Sequence, residues 1–109
     1  MATSTIKVDC GIVHSIYDGT ATLQVNGNTY YNLFTLDAGV WEIFVTMYMA
    51  SGIAVICHGN SIDNTIAEAN FGGASAVGVV KLDTPTTVQM FVTANTTINR
   101  FKAEAVRIA

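Results

Sequence analysis

The segment Val40 to Met49 restricts this chain most, because it alternates with a period of two and is largely apolar on both sides. Trp41, Ile43, Val45, Met47 and Met49 fall on one side, and Val40, Glu42, Phe44, Thr46 and Tyr48 on the other. Successive side chains of an extended strand point to opposite faces of its sheet, so the segment reads as a strand with one wholly apolar face and a second that is nearly so. No stretch of a dozen residues elsewhere carries apolar side chains at helical spacing, and β-branched residues are frequent. The chain therefore reads as strands throughout.

The remaining strands are predicted as short pieces between turn signals. They cover residues 5–8, 12–17, 22–25, 29–34, 53–57, 66–71, 76–82, 88–93 and 101–108. Asn26-Gly27 favours the positive φ angles of a tight hairpin, which would join residues 22–25 to 29–34. Ser51-Gly52 and Gly72-Gly73 read as turns, as do Asp37-Ala38-Gly39 and His58-Gly59-Asn60. The only proline, Pro85, marks a corner. About eight to ten short strands at such spacings are the pattern of a β-sandwich or barrel, and without helical crossovers a parallel α/β fold is excluded.

Nothing divides the chain, so its 109 residues are expected to share one core as a single domain, residues 1–109, with residues 1–4 a flexible tail. The five Lys and Arg residues are scattered and the net charge is −3, which leaves no basic stripe for nucleic acid. No apolar run approaches the roughly 20 residues that span a bilayer as a helix, so no membrane insertion is expected. Cys10 and Cys57 lack metal-ligand spacing and read as two buried free thiols, with a disulfide between them as the alternative that spacing in sequence does not decide.

From Phe34 onward the order of features resembles the tumour-necrosis-factor-like jelly roll of the globular heads of the first complement component. Phe34-Thr35-Leu36-Asp37-Ala38-Gly39-Val40-Trp41 is similar to that family's aromatic-x-x-x-x-Gly-Val-Tyr entry into a long central strand, with Trp41 in place of tyrosine. Ile53-Ala54-Val55-Ile56, Ser75 to Leu82, Thr87 to Val92 and Phe101 to Ile108 resemble its later strands. The resemblance implies an all-β, antiparallel jelly-roll β-sandwich that forms a homotrimer, as in the receptor-binding heads of bacteriophage tail fibres. It places the protein on a virion or an extracellular surface.

The apolar second face points to an assembly by a separate route, since something must cover it and large exposed apolar patches usually mark interfaces. Phe44, Tyr48, Phe91 and Val40 are accordingly predicted in a subunit interface around a threefold axis.

For chemistry, His14 and His58 are the only histidines, and either could pair with Ser15, Ser61 or Asp63 as a nucleophile and base. No GxSxG turn accompanies them, so no enzyme is expected and no catalytic residue or cofactor is assigned. Asn60, Asp63, Asn64 and Glu68 lack the spacing of a calcium loop, so no metal site is assigned. Asn95-Thr96-Thr97 fits a glycosylation sequon.

Aromatic rings stack on sugars and amides satisfy hydroxyls. The candidate ligand contacts are therefore whichever of Tyr30 and Tyr31 is exposed, with Asp18, Asn26, Asn28 and Asn60 in neighbouring loops. These readings describe a recognition head for a surface ligand such as a carbohydrate on a bacterial host. The competing expectation is a structural decoration, cement or surface-layer component whose apolar face docks to an assembly.

Overall fold

The computed structural model describes residues 13–18 and 22–109. The described residues form seven antiparallel strands: β1 (Val13–Asp18), β2 (Leu23–Val25), β3 (Thr29–Leu36), β4 (Gly39–His58), β5 (Ser61–Leu82), β6 (Thr86–Val92) and β7 (Thr96–Arg107). Their order is β1-β7-β4-β6-β3, with β2 also on β7 and β5 on β4. This is the expected all-β, antiparallel β-sandwich. No helix among the described residues is long and apolar enough to cross a membrane. The predicted strand at residues 5–8, Cys10 and the tail at 1–4 lie outside the described residues.

Two strands are far longer than the sequence pattern suggested. β4 runs through Ser51-Gly52 and β5 through Gly72-Gly73, so both expected turns are corrected to irregularities within strands. A straight β5 of 22 residues would measure roughly 70 Å at about 3.3 Å per residue, yet the longest dimension of the molecule is 48 Å. The β4–β5 hairpin therefore curls. Its first β4 half, Trp41 to Met49, pairs with β7, and its second, Ala54 to His58, pairs with β6. One continuous sheet thus supplies both layers of the sandwich. The curl is tight enough for Ile66 to pack over Gly78 of the same strand, where an added Cβ would lie 2.5 Å from the Ile66 carbonyl oxygen.

At the handover between layers the β4 ladder is interrupted, and two threonine hydroxyls replace backbone acceptors. Thr96 Oγ1 accepts from Ser51 N–H at 3.0 Å and Thr93 Oγ1 from Ile53 N–H at 2.9 Å. Gly52, at φ +87, takes the left-handed bend that a side chain would resist. The irregularity also reverses which residues face the core: Trp41, Ile43, Val45, Met47 and Met49 are buried before it, and Ala54 and Ile56 after it. In β7, Ile98 is buried and so are Phe101, Ala103 and Ala105, with the parity reset by a bulge at Asn99-Arg100. Leu33 is the extra residue in β3, which lets Phe34 and Leu36 face inward beside Val88, Met90 and Val92 of β6.

The Asn26-Gly27 turn is also corrected. β2 pairs with β7 and β3 with β6, so the turn carries the chain from one layer to the other and closes no hairpin. Asn95 Oδ1 accepts from Gly27 N–H at 2.7 Å, and the Val92 carbonyl accepts from Asn28 N–H at 2.7 Å. These anchors are the last residue of β6 and a residue of the β6–β7 connection. Asn28, at φ 56, takes the left-handed position.

Candidate ligand-binding surface

Three places on this scaffold gather the polar and aromatic residues picked out by sequence. The first is built on Tyr30. Tyr30 and Tyr31 point to opposite faces: Tyr31 packs against the core and its hydroxyl accepts from Asn26 N–H at 2.7 Å, while Tyr30 stacks on Phe91 with centroids 4.8 Å apart. The Tyr30 hydroxyl accepts from Ile62 N–H at 3.2 Å. Beside this pair, buried Gln89 donates to Asn32 Oδ1 at 2.9 Å and to Asn60 Oδ1 at 2.6 Å, and its own oxygen accepts from Asn60 N–H at 2.9 Å. This amide cluster fastens the β4–β5 turn onto β3 and β6, so the polar groups of Tyr30 and Asn60 are engaged within the molecule.

The second is a groove of about 520 Å³ lined by Gln24, Asn26, Ser51, Asn95 and Thr97 above Val25, Ala50 and Thr96. None of these side chains is charged. Gln24 and Asn26 are exposed and two residues apart, so they project on the same side. Asn28 is exposed on the same corner, and Asp18 pairs through its backbone with Lys102, further along the edge of β7 that β2 also occupies.

The third adjoins the second. On the outer face of the sheet Tyr48 of β4 stands between Gly73 of β5 and Asn99 of β7, its register partners. Its ring is 53% exposed, because nothing lies within 4 Å of where a Gly73 side chain would begin. A cleft of about 300 Å³ runs past Thr46, Tyr48, Gly73 and Arg100, and a smaller one of about 220 Å³ reaches Asn99. Asn99 Oδ1 is buried and has no hydrogen-bond partner among the described residues. Arg100 is exposed and held at φ 54 by the bulge.

Of the predicted interface residues, Val40, Phe44 and Tyr48 share the outer face of β4, with Phe44 opposite Val77 and Val40 opposite Lys81. Val77 and Val79 of β5 are 55% and 56% exposed beside them. Phe91 lies on the other layer, half-buried under Tyr30. His58 stands opposite Ser61, whose hydroxyl accepts from Asp63 N–H at 3.1 Å. Asn64 donates to the His58 carbonyl at 3.1 Å. Among the described residues no three His, Cys, Asp or Glu side chains converge as a metal site would require. Cys57 is free and buried, and burial raises its thiol pKa.

Gln24, Asn99 and Arg100 were absent from the sequence candidates. Their outward placement follows the period of two, but their meeting depends on the pairing of Leu23 with Ile98 and of Tyr48 with Asn99, which no local pattern encodes.

No protein-family profile matches this chain, and no curated protein does so either. Among solved structures, the chain is similar to a CBM36-1 domain of a multidomain xylanase from the hindgut metagenome of Trinervitermes trinervoides. The TM-score is 0.47 at 13% identity, over 87% of this chain and 77% of that one. It is also similar to a β-1,3-glucan-binding CBM6 from Bacillus halodurans, at TM-score 0.47 and 12% identity, over 92% of this chain and 88% of that one.

Proposed function

We propose that this domain is a non-catalytic recognition module that binds a glycan in the groove between the β2–β3 corner and the β6–β7 connection. The observation that carries this reading is the uncharged lining of the groove, in which amides and hydroxyls both donate and accept. A sugar presents hydroxyls with the same dual capacity, whereas a charged ligand would find no counter-charge there. Gln24 and Asn26 make no side-chain hydrogen bonds within the described residues, so their amides are available to a ligand. Two such bonds at about 1 kcal/mol each correspond to roughly thirtyfold in affinity. A glycan array with the purified domain, repeated with Gln24→Ala/Asn26→Ala, tests this directly. Binding that falls at least about tenfold in the variant supports the reading, and silence across neutral and acidic polysaccharides overturns it.

The module is further proposed to act as a homo-oligomer on a virion or extracellular surface, with three copies as the jelly-roll-head resemblance implies. The specific support is the set of apolar residues Val40, Phe44, Val77 and Val79 on the outer face, interrupted by Glu42 and Lys81, along a β5 strand that pairs on one side only among the described residues. Light scattering that returned the 11.6 kDa monomer mass would overturn the oligomer while leaving glycan binding to stand. In that case this face would instead suit docking to a larger structural assembly.

A further inference from the structure

We infer that the glycan site continues from the neutral groove into the Tyr48–Asn99–Arg100 cleft as a second subsite, and that this subsite takes a carboxylate-bearing sugar ring. The inference rests on the glycan reading above and specifies the class of glycan. The two places are neighbours on one surface. Thr97 lines the groove and Asn99 the cleft, two residues apart on the same face of β7, or about 7 Å along the strand. Ala50 and Tyr48 repeat that spacing on β4. A linear oligosaccharide laid across them would meet both sets of groups.

The three residues of the cleft offer complementary chemistry. Tyr48 presents an open aromatic face because Gly73 puts no side chain beside it. Asn99 Oδ1 is a buried acceptor without a donor among the described residues, and such an atom is costly to leave unsatisfied. A ligand hydroxyl would satisfy it. Arg100 is the one cation lining the cleft, and no hydrogen bond or ion pair engages its guanidinium among the described residues. The planar fork of an arginine matches a carboxylate with two parallel hydrogen bonds. Its backbone adds an independent observation: φ 54 is a conformation that glycine adopts freely and arginine does not. A bulge there needs only a residue in the left-handed region, so the folding requirement would be met better by glycine than by arginine.

Isothermal titration with hexagalacturonate and with sialyllactose, each as free acid and as methyl ester, tests the inference. The ester keeps the ring and removes the charge. At least one free acid is expected to bind about tenfold or more tightly than its ester. That preference should vanish in Arg100→Gly, a variant whose thermal stability is held or raised because glycine suits the left-handed position. Gly73→Leu should weaken acid and ester alike by closing the cleft, without lowering stability. Equal binding of acid and ester, or a preference that survives in Arg100→Gly, overturns the acidic subsite. Binding of neutral glycans with none of either acid also overturns it and leaves the groove intact. Silence for every neutral and acidic glycan overturns the groove reading and this inference together.

Discussion

Replacing Gly78 by alanine tests the curl on which the whole architecture depends. In a straight strand Ile66 and Gly78, twelve residues apart, would be separated by about 40 Å. Here a Cβ on Gly78 would sit 2.5 Å from the Ile66 carbonyl oxygen and 2.9 Å from its Cγ2. Ordinary contact begins at 3.4 Å, so backbone within one strand must move by 3.4 − 2.5 = 0.9 Å. Overpacking of this kind costs roughly 1–3 kcal/mol, against which alanine regains about 0.5–1 kcal/mol of backbone entropy relative to glycine. A net loss near 1–2 kcal/mol should lower Tm by roughly 5–15 °C in a domain of this size.

Gly73→Ala is the control, since nothing lies within 4 Å of its Cβ position, and it should hold or raise Tm by a few degrees. Scanning calorimetry of the two variants decides the matter. Adding Ile66→Ala to Gly78→Ala removes the Cγ2 contact and leaves the carbonyl, so the pair should couple by at least about 0.5 kcal/mol. Equal behaviour of the two glycine variants together with full additivity at positions 66 and 78 would mean that β5 does not fold back on itself.

Other substitutions probe the interruptions and the buried polar groups. Thr96→Val keeps the shape but leaves Ser51 N–H without its acceptor, and should cost about 1–2 kcal/mol in urea unfolding; a loss below about 0.3 kcal/mol would show that water replaces the hydroxyl at no cost. Gln89→Leu removes the amide that ties Asn60 to Asn32, and should cost roughly 1–3 kcal/mol while raising hydrogen exchange at the Asn60 amide. Unchanged exchange there would contradict the role given to that cluster. Burial raises the Cys57 pKa above that of the unfolded chain, so the folded state holds its proton more tightly. Its contribution to stability is full below the unfolded thiol pKa and is lost as pH climbs through the higher folded value. Cys57→Ala should therefore unfold with a shallower alkaline loss of stability between neutral pH and about pH 10 than the parent, and parallel pH profiles would refute this.

The faces of the central strand were legible because burial there follows the period of two without exception. Trp41, Ile43, Val45, Met47 and Met49 are buried as read, and Tyr48 on the other side is exposed. The reading failed where that period slips. Core positions pass from odd to even between Met49 and Ala54, from even to odd between Ile98 and Phe101, and from odd to even between Ala69 and Ala76. Glycines or small polar residues near these slips were read as strand ends, although the slip alone shows only that a residue has been inserted. A bulge and a turn share their local signals, and what separates them is whether pairing resumes beyond. The Asn26-Gly27 corner failed for the same reason, as its hydrogen bonds go to Val92 and Asn95, more than sixty residues away.

These slips fall in one place, and that place explains the candidate site. Met49 pairs with both Gly72 and Ile98, while Tyr48 pairs with both Gly73 and Asn99. The irregularities of β4, β5 and β7 therefore line up in a single row across three adjacent strands, where the sheet bends from one layer into the other. On the concave side the bend brings side chains together and closes the core. On the convex side it spreads them apart, and with glycine at position 73 the gap stays open beside Tyr48. Folding and binding thus make separable demands on the bulge at Arg100. Deleting Arg100 would remove the extra residue and leave plain alternation from Ile98 to Phe101, Ala103 and Ala105, so those side chains stay in the core and only the bulge is lost, whereas Arg100→Gly keeps the bulge and removes only the guanidinium. Both variants should therefore unfold cooperatively in calorimetry, and a deletion variant that lost cooperative unfolding while Arg100→Gly kept it would show that folding itself depends on the bulge.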